Sequence, residues 1–102
     1  MIALVAEKRG DIVDLCRRYR VTRLELFGSS SAGDFDQEKS DVDFLVEFES
    51  TPAGEHASCY FGLLFSLQHL LARPVDLVEL SAVSNPFFLK SISRTRVLLY
   101  AA

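Results

Sequence analysis

Asp41 and Asp43 stand two residues apart at the head of an apolar run, Ser40-Asp41-Val42-Asp43-Phe44-Leu45-Val46-Glu47-Phe48. In an extended strand, side chains two apart share a face. The two carboxylates then stand side by side, while Val42, Phe44, Val46 and Phe48 fill the opposite face. Adjacent anions raise each other's proton affinity unless a cation lies between them. A hard divalent cation, held by one or two carboxylates, water and substrate phosphates, removes that conflict. Just upstream, Leu26-Phe27-Gly28-Ser29-Ser30-Ser31-Ala32-Gly33 runs from an apolar strand into a turn of small residues. Gly28 lets backbone come close to a ligand. Ser29 offers a hydroxyl and an N–H to phosphate oxygens, more so if a helix starts there. No Gly-Lys-Ser/Thr follows, so the turn is not a Walker phosphate loop. Metal-binding carboxylates beside a phosphate-sized turn point to nucleotide chemistry.

A third carboxylate, Asp76, lies within Val75-Asp76-Leu77-Val78-Glu79-Leu80. A carboxylate in a short apolar strand is costly to bury unless it is paired or bound to metal. If this strand runs beside the Asp41/Asp43 strand, Asp76 joins them as a third acidic group; otherwise it belongs to an edge strand and faces water. Taken singly, an Asp-x-Asp pair can be merely solvated, and Ser29 to Ser31 can be an N-cap and a flexible turn. The combination favours a site.

The elements that must position these residues follow from periodicity and breakers. Ile12, Leu15, Cys16 and Tyr19 recur at helical spacing, which predicts a helix over 2–19 that Gly10 weakens without ending. Val21–Phe27 reads as the first strand, with Leu24 and Leu26 on one face and Arg23, Glu25 and Phe27 on the other. Gly28–Gly33 is a turn that can open a short helix, Asp34–Ser40 a polar loop, and Val42–Phe48 the second strand. Thr51-Pro52-Ala53-Gly54 breaks the chain before a helix over Ala57–Leu71. Val75–Leu80 is the third strand. Asn85-Pro86 opens a last short helix, with Asn85 as N-cap and Pro86 at the first helical position. Val97–Tyr100 closes the chain as a strand. The order α-β-α-β-α-β-α-β predicts an α/β (α+β) fold, one small mixed sheet flanked by helices, in a single domain over 1–102.

Composition narrows the function classes. The formal net charge of −3 argues against a general nucleic-acid binder, which would show a basic face. Glu7, Lys8, Arg9 and Asp11 interrupt the N-terminal apolar run, so no signal peptide is expected. No stretch reaches the roughly 18 apolar residues of a membrane span. Cys16 and Cys59 lie in helical patterns and read as buried free thiols, which suits a cytoplasmic location. His56 and His69 lack ligand spacing and read as surface or helix-end residues. The helix over Ala57–Leu71 is apolar around most of its circumference. Part of it, around Tyr60, Leu64 or Leu67, is expected in a homo- or hetero-oligomeric interface.

Together, Leu26-Phe27-Gly28-Ser29 and Ser40-Asp41-Val42-Asp43-Phe44-Leu45-Val46 resemble the minimal nucleotidyltransferases of the DNA-polymerase-β-type superfamily. Their pattern is Gly-Ser, a short loop, Asp-x-Asp, and a third carboxylate on a later strand. Pro74-Val75-Asp76-Leu77-Val78 is similar to that third strand, and the tail from Asn85 to Tyr100 to the closing helix and strand. The resemblance implies that fold and the transfer of a nucleoside monophosphate, AMP from ATP, with Mg²⁺ as cofactor. It implies Asp41, Asp43 and Asp76 as catalytic and metal-binding residues, and Gly28 and Ser29 as the phosphate-binding turn. It also implies an antitoxin role, with a HEPN-family toxin as partner and a tyrosine of that toxin as acceptor. The chain departs from the pattern in a slightly longer loop over 30–40 and in the small Ala32, where the family often carries a long side chain. These departures favour a rival reading, a binding module that neutralises its partner by contact alone. A structural α/β domain with a solvated acidic loop is the third.

Overall fold

The computed structural model describes residues 2–28 and 41–102. Ser29 with the rest of the small-residue turn, the helix expected to open there and the polar loop Asp34–Ser40 lie outside the described residues. Strands β1 (Val21–Phe27) and β2 (Val42–Phe48) fall where the alternation predicts. With β3 (Val75–Glu79) and β4 (Val97–Ala101) they form a mixed sheet of order β3-β2-β1-β4. β1 runs antiparallel to both β2 and β4, and β2 runs parallel to β3. The third strand thus does lie beside the second, and it forms one edge of the sheet. Leu80, expected in that strand, instead starts a single 3-10 turn over Leu80–Ala82.

The expected N-terminal helix is two helices, α1 (Ala3–Glu7) and α2 (Arg9–Arg18), broken at Lys8, whose φ/ψ of −100°/9° leaves the helical range. Gly10 near the start of α2 costs about 1 kcal/mol of helix propensity, which makes this stretch the cheapest place to bend. The bend lets Val5 and Ile12, both without solvent exposure, enter the same core. Helix α3 (Glu55–Leu71) follows the breaker cluster, with Gly54 in the left-handed region at its start. Gly62 lets α3 close on α2, because a side chain there would collide with the ring of Tyr19. The Tyr19 and Ser66 hydroxyls are hydrogen-bonded across the same contact at 3.2 Å. Helix α4 (Pro86–Ile92) is capped as the sequence predicts: the Asn85 carboxamide oxygen accepts from the Phe87 N–H at 2.9 Å.

The sheet is covered on both faces. Leu24 and Leu26 of β1, Val42, Phe44 and Val46 of β2, Leu77 and Leu99 meet Val5, Ile12, Cys16, Leu63, Leu67 and Leu71 in the main core. On the other face Phe27, Leu45 and Ile92 form a second cluster with Val78, Leu80 and Phe88. Phe88 meets Phe27 edge to face at 5.9 Å. Both cysteines are free; Cys16 is buried and Cys59 half-buried. Burial pushes the Cys16 thiol up to about 12, which leaves it an unreactive core side chain. Among the described residues no helix is long and apolar enough to cross a membrane.

The expectation of an interface around Tyr60, Leu64 or Leu67 needs correction at Leu67, which packing within the monomer already buries. Leu67 is fully buried in the monomer, Leu64 is half-buried against the core, and the Tyr60 hydroxyl donates to the Leu77 carbonyl at 2.6 Å. The apolar excess of α3 is carried instead by Phe61 and Phe65, 51% and 61% exposed, whose rings stack at 6.1 Å. A small sheet offers only one contact line to a helix, and at about 100° per residue Phe61 and Phe65 lie a third of a turn or more from the buried line of Leu63, Leu67 and Leu71, so they are left outside.

Glu25 is the one buried charged residue among those described, only 4% exposed. Burial alone would raise its carboxyl, but hydrogen bonds and charge from Arg96, then Arg23, outweigh it and hold the group below its ordinary value. Arg96 grips both oxygens, Nε to Oε1 at 3.2 Å and Nη2 to Oε2 at 2.7 Å. Without Arg96 the buried Glu25 charge keeps only Arg23, 3.5 Å from Oε2, and a buried charge that loses its main partner is under-compensated. Arg96→Met should therefore destabilise the protein by about 3 kcal/mol at neutral pH. The loss should shrink as acid protonates Glu25, because a depressed carboxyl lends its stability above its unfolded value and forfeits it as pH falls through the folded one. Urea melts of both proteins across that range check this; a pH-independent difference would mean that Arg96 acts through packing alone.

Candidate active site

β2 places its side chains alternately on the two faces. Val42, Phe44 and Val46 enter the main core, so Asp43 shares the other face with Leu45. On that face Asp43 is in register with Phe27 of β1 on one side and with Asp76 of β3 on the other. Asp41 precedes the strand and is exposed, Asp76 is exposed on the edge strand, and Asp43 is half-buried between them. The solvated-edge reading of Asp76 is therefore right about its exposure, and the third-carboxylate reading is right about its neighbour.

Electrostatics joins the three. The Asp43 carboxyl is pushed up from 3.8 to about 6, first by burial, then by the charge of Asp76, then by that of Asp41. The neighbour across the parallel pair thus outweighs the neighbour two residues back along the chain. Burial has a visible source in Phe27, Leu45 and Val78, the apolar cluster on the same face. Burial, followed by the charges of Glu79 and Asp76, also raises the Tyr60 phenol above its ordinary value.

Gly28 ends β1 with φ +71°, in the left-handed region that glycine enters without strain. A Cβ there would lie 2.7 Å from Asp43 Oδ2, so the space that the missing side chain leaves is taken by the carboxylate. The Gly28 N–H donates to Thr95 Oγ1 at 3.1 Å, and the Thr95 hydroxyl donates to the Ile92 carbonyl at 2.9 Å. Spacing alone did not reveal Thr95, Arg96 or Glu25 as neighbours of the site. The two histidines stay away from it: His56, near the start of α3, meets Glu79 at 2.7 Å and Phe48 edge to face, and His69 is exposed near the helix end. A groove of about 540 Å³ between α2 and α3, lined by Asp11, Asp14, Arg18 and Phe65 among others, shares no residue with the aspartates.

The donor set fits a hard cation. It offers carboxylate oxygens only, one carries a raised proton affinity that a nearby positive charge would relieve, and water reaches the exposed pair. Among the described residues no three histidine, cysteine or acidic side chains converge tightly enough to cage a metal ion by themselves.

Known proteins share the sequence pattern and the fold of this chain. The model of the nucleotidyltransferase domain family matches residues 12–99. Two proteins of Methanocaldococcus jannaschii that bear the proposed name of protein adenylyltransferase are similar in sequence. One is 41% identical over 78 residues, 76% of each chain, and the other 35% over 75 residues, 74% of this chain and 73% of its own. Among solved structures, a protein proposed to be a minimal nucleotidyltransferase matches with TM-score 0.76 and 28% identity over 94% of this chain and 95% of its own. A toxin–antitoxin structure with AMP-PNP matches with TM-score 0.70 and 25% identity over 92% of this chain and 73% of that one. A Shewanella oneidensis complex of an AMPylated HEPN toxin with its MNT antitoxin shares the fold, with TM-score 0.65 and 21% identity over 95% of this chain and 72% of that one.

The raised Asp43 carboxyl has a measurable consequence in metal-free protein. A carboxyl whose folded value lies above its unfolded one favours the fold fully below the unfolded value of 3.8, and that contribution is lost as pH rises through about 6. Asp43→Asn removes the charge and keeps the shape. In chelator at about pH 8 it should raise the melting temperature by roughly 4–8 °C, the effect of about 1 kcal/mol in a domain of this size. The figure is set below the full titration energy because the group is partly screened by solvent. Near pH 4 the two proteins should melt together. Equal differences at both pH values would show that charge is not the cause.

Proposed function

Since the chain belongs to the nucleotidyltransferase domain family, we propose that it transfers AMP from ATP to a hydroxyl of a protein, a tyrosine of a HEPN-type toxin, and so acts as an antitoxin. The observation that carries the chemistry is the register of Asp43 with Asp76, with Asp41 adding to the same field and Gly28 packed against the Asp43 carboxylate. The protein acceptor is supported by the adenylyltransferase names of the two archaeal relatives and by the likeness to the toxin–antitoxin structure with AMP-PNP.

Asp41 and Asp43 would hold Mg²⁺, which supplies charge neutralisation to the triphosphate during an in-line displacement. Gly28 and Ser29 would form the turn that receives the departing phosphates. Asp76, exposed beside Asp43, is the group free to accept the proton of the attacking tyrosine hydroxyl or to serve as ligand to a second ion. The tyrosine oxygen bonds to the α-phosphorus, the bond to the β-phosphate oxygen breaks, and pyrophosphate leaves. The apolar floor of Phe27, Leu45 and Val78 strengthens each of these charge interactions by keeping water from one side of the site.

A second reading, neutralisation of the partner by contact alone, is favoured by one observation, the exposed and stacked pair Phe61 and Phe65. Transfer of labelled AMP from ATP to the product of the neighbouring gene separates the two. Asp41→Asn and Asp43→Asn should abolish labelling, and Asp76→Asn should slow it by roughly 10²–10⁴-fold, the usual range for losing a general base. Changing the acceptor tyrosine to phenylalanine should remove the label. If the aspartate variants still protect cells from the partner while Phe65→Glu does not, contact is the function. Labelling at the parental rate in both Asp41→Asn and Asp43→Asn would end the catalytic reading.

A further inference from the structure

Gly28 is the wall against which the Asp43 carboxylate rests, yet nothing in a glycine's own preferences keeps it there. It has the widest conformational freedom of any residue, and at φ +71° it occupies only one of its available wells. A contact beyond the residue itself must fix it. β1 and β4 pair antiparallel with Leu26 opposite Val97, so continuing that register two residues beyond Leu26 brings Thr95 opposite Gly28. There the hydroxyl of Thr95 accepts from the Gly28 N–H at 3.1 Å and donates to the Ile92 carbonyl at 2.9 Å.

The segment that presents Thr95 is itself held on both sides. Ile92 is buried in the second apolar cluster, the Thr95 N–H closes a turn onto the Ile92 carbonyl at 2.9 Å, and Arg96 grips Glu25 of β1. Threonine is branched at Cβ and stiff about χ1, so its oxygen arrives with little rotamer freedom left to lose. The result is a short relay from a fixed turn, through one hydroxyl, to the backbone that borders Asp43 Oδ2.

We propose that Thr95 is a positioning residue: its hydroxyl holds the Gly28 turn against the Asp43 carboxylate and so sets the direction in which that carboxylate faces. The consequence for turnover rests on the nucleotidyl-transfer reading above; the geometric claim stands without it. Small displacements of a reacting constellation are expensive, with about 1 Å able to cost 10²-fold in rate.

Two variants test this. Thr95→Val keeps the shape and removes the hydroxyl, and Thr95→Ser keeps the hydroxyl and removes the methyl group. In metal-free, isotopically labelled protein, Thr95→Val should shift the Gly28 amide and the Asp43 carboxyl-carbon resonances and speed Gly28 amide exchange by roughly tenfold or more, the mark of a lost hydrogen bond. Thr95→Ser should leave all three close to the parent. With Mg-ATP and acceptor, kcat should fall by roughly 10–100-fold in Thr95→Val, with KM for ATP changing much less, and recover in Thr95→Ser. Thr95→Ala supplies the same comparison if the valine variant does not fold. Unmoved Gly28 and Asp43 resonances in the variant lacking the hydroxyl overturn the proposal, as does a serine variant as impaired as the valine one. A parent protein that transfers no AMP would instead sink the nucleotidyl-transfer reading, and the resonances would still decide the role of Thr95.

Discussion

The repulsion between Asp43 and Asp76, level with one another on neighbouring parallel strands, is a standing cost that the surrounding elements offset. Like charges about 4 Å apart oppose each other by between about 1 and 4 kcal/mol, depending on how much water screens them. Each leucine- or phenylalanine-sized side chain buried from the same strands returns roughly 1.5–3 kcal/mol. Val42, Phe44 and Val46 of β2 and Leu77 of β3 all enter the main core, so burial wins by a wide margin. The same residues also fix the register. A slip of one position would turn Asp43 into the core under α3 and Phe44 out of it, which the packing forbids. The Val42 N–H to the Pro74 carbonyl at 3.0 Å ties the two strands further, and the Tyr60 hydroxyl to the Leu77 carbonyl ties α3 to β3.

Glu25 lies on the same face of the sheet and meets the opposite fate. It is more buried than Asp43, yet its carboxyl is held low because Arg96 and Arg23 satisfy it. Asp43 has apolar neighbours and like charges, and its carboxyl is raised. One anion is committed to joining the α4–β4 turn to β1; the other is left with a charge that no cation among the described residues is shown to balance. A carboxylate paired within the protein serves the fold. A carboxylate left at a deficit beside two others is the kind of group that a ligand completes.

The parts of this architecture that local rules govern were legible in the sequence. Apolar residues on alternate positions and sharp breakers set the bounds of β1 and β2, and the Asn85-Pro86 pair announced the start of α4. The three aspartates and Gly28 were visible because their chemistry is unusual for strand termini, and the structure does bring Asp76 beside Asp43. What stayed hidden depends on partners far along the chain. Nothing near Glu25 in sequence foretells Arg96, and nothing near Thr95 foretells Gly28; only the antiparallel pairing of β1 with β4 joins them. The bend at Lys8 is a compromise between helix periodicity and the reach of Val5 into the core. The apolar surplus of α3 was plain from composition. Which residues carry it, Phe61 and Phe65 rather than Leu67, is settled by which face of the helix meets the sheet.

Under the nucleotidyl-transfer proposal, the same carboxylates that equip the site also make it hostile to its substrate. A free triphosphate approaching Asp41, Asp43 and Asp76 meets like charge, on a chain whose net charge is already −3. Attraction appears only when the phosphates bring positive charge with them. Discrimination between metal-bound and metal-free nucleotide then needs no dedicated contact, because repulsion excludes the wrong form. It also explains why the apolar floor is an asset: lowering the local dielectric deepens the penalty for the wrong charge state and the gain for the right one by the same factor. A site of this kind is selective because its unliganded state is strained by charge, and the fold's task is to bear that strain without moving the carboxylates apart.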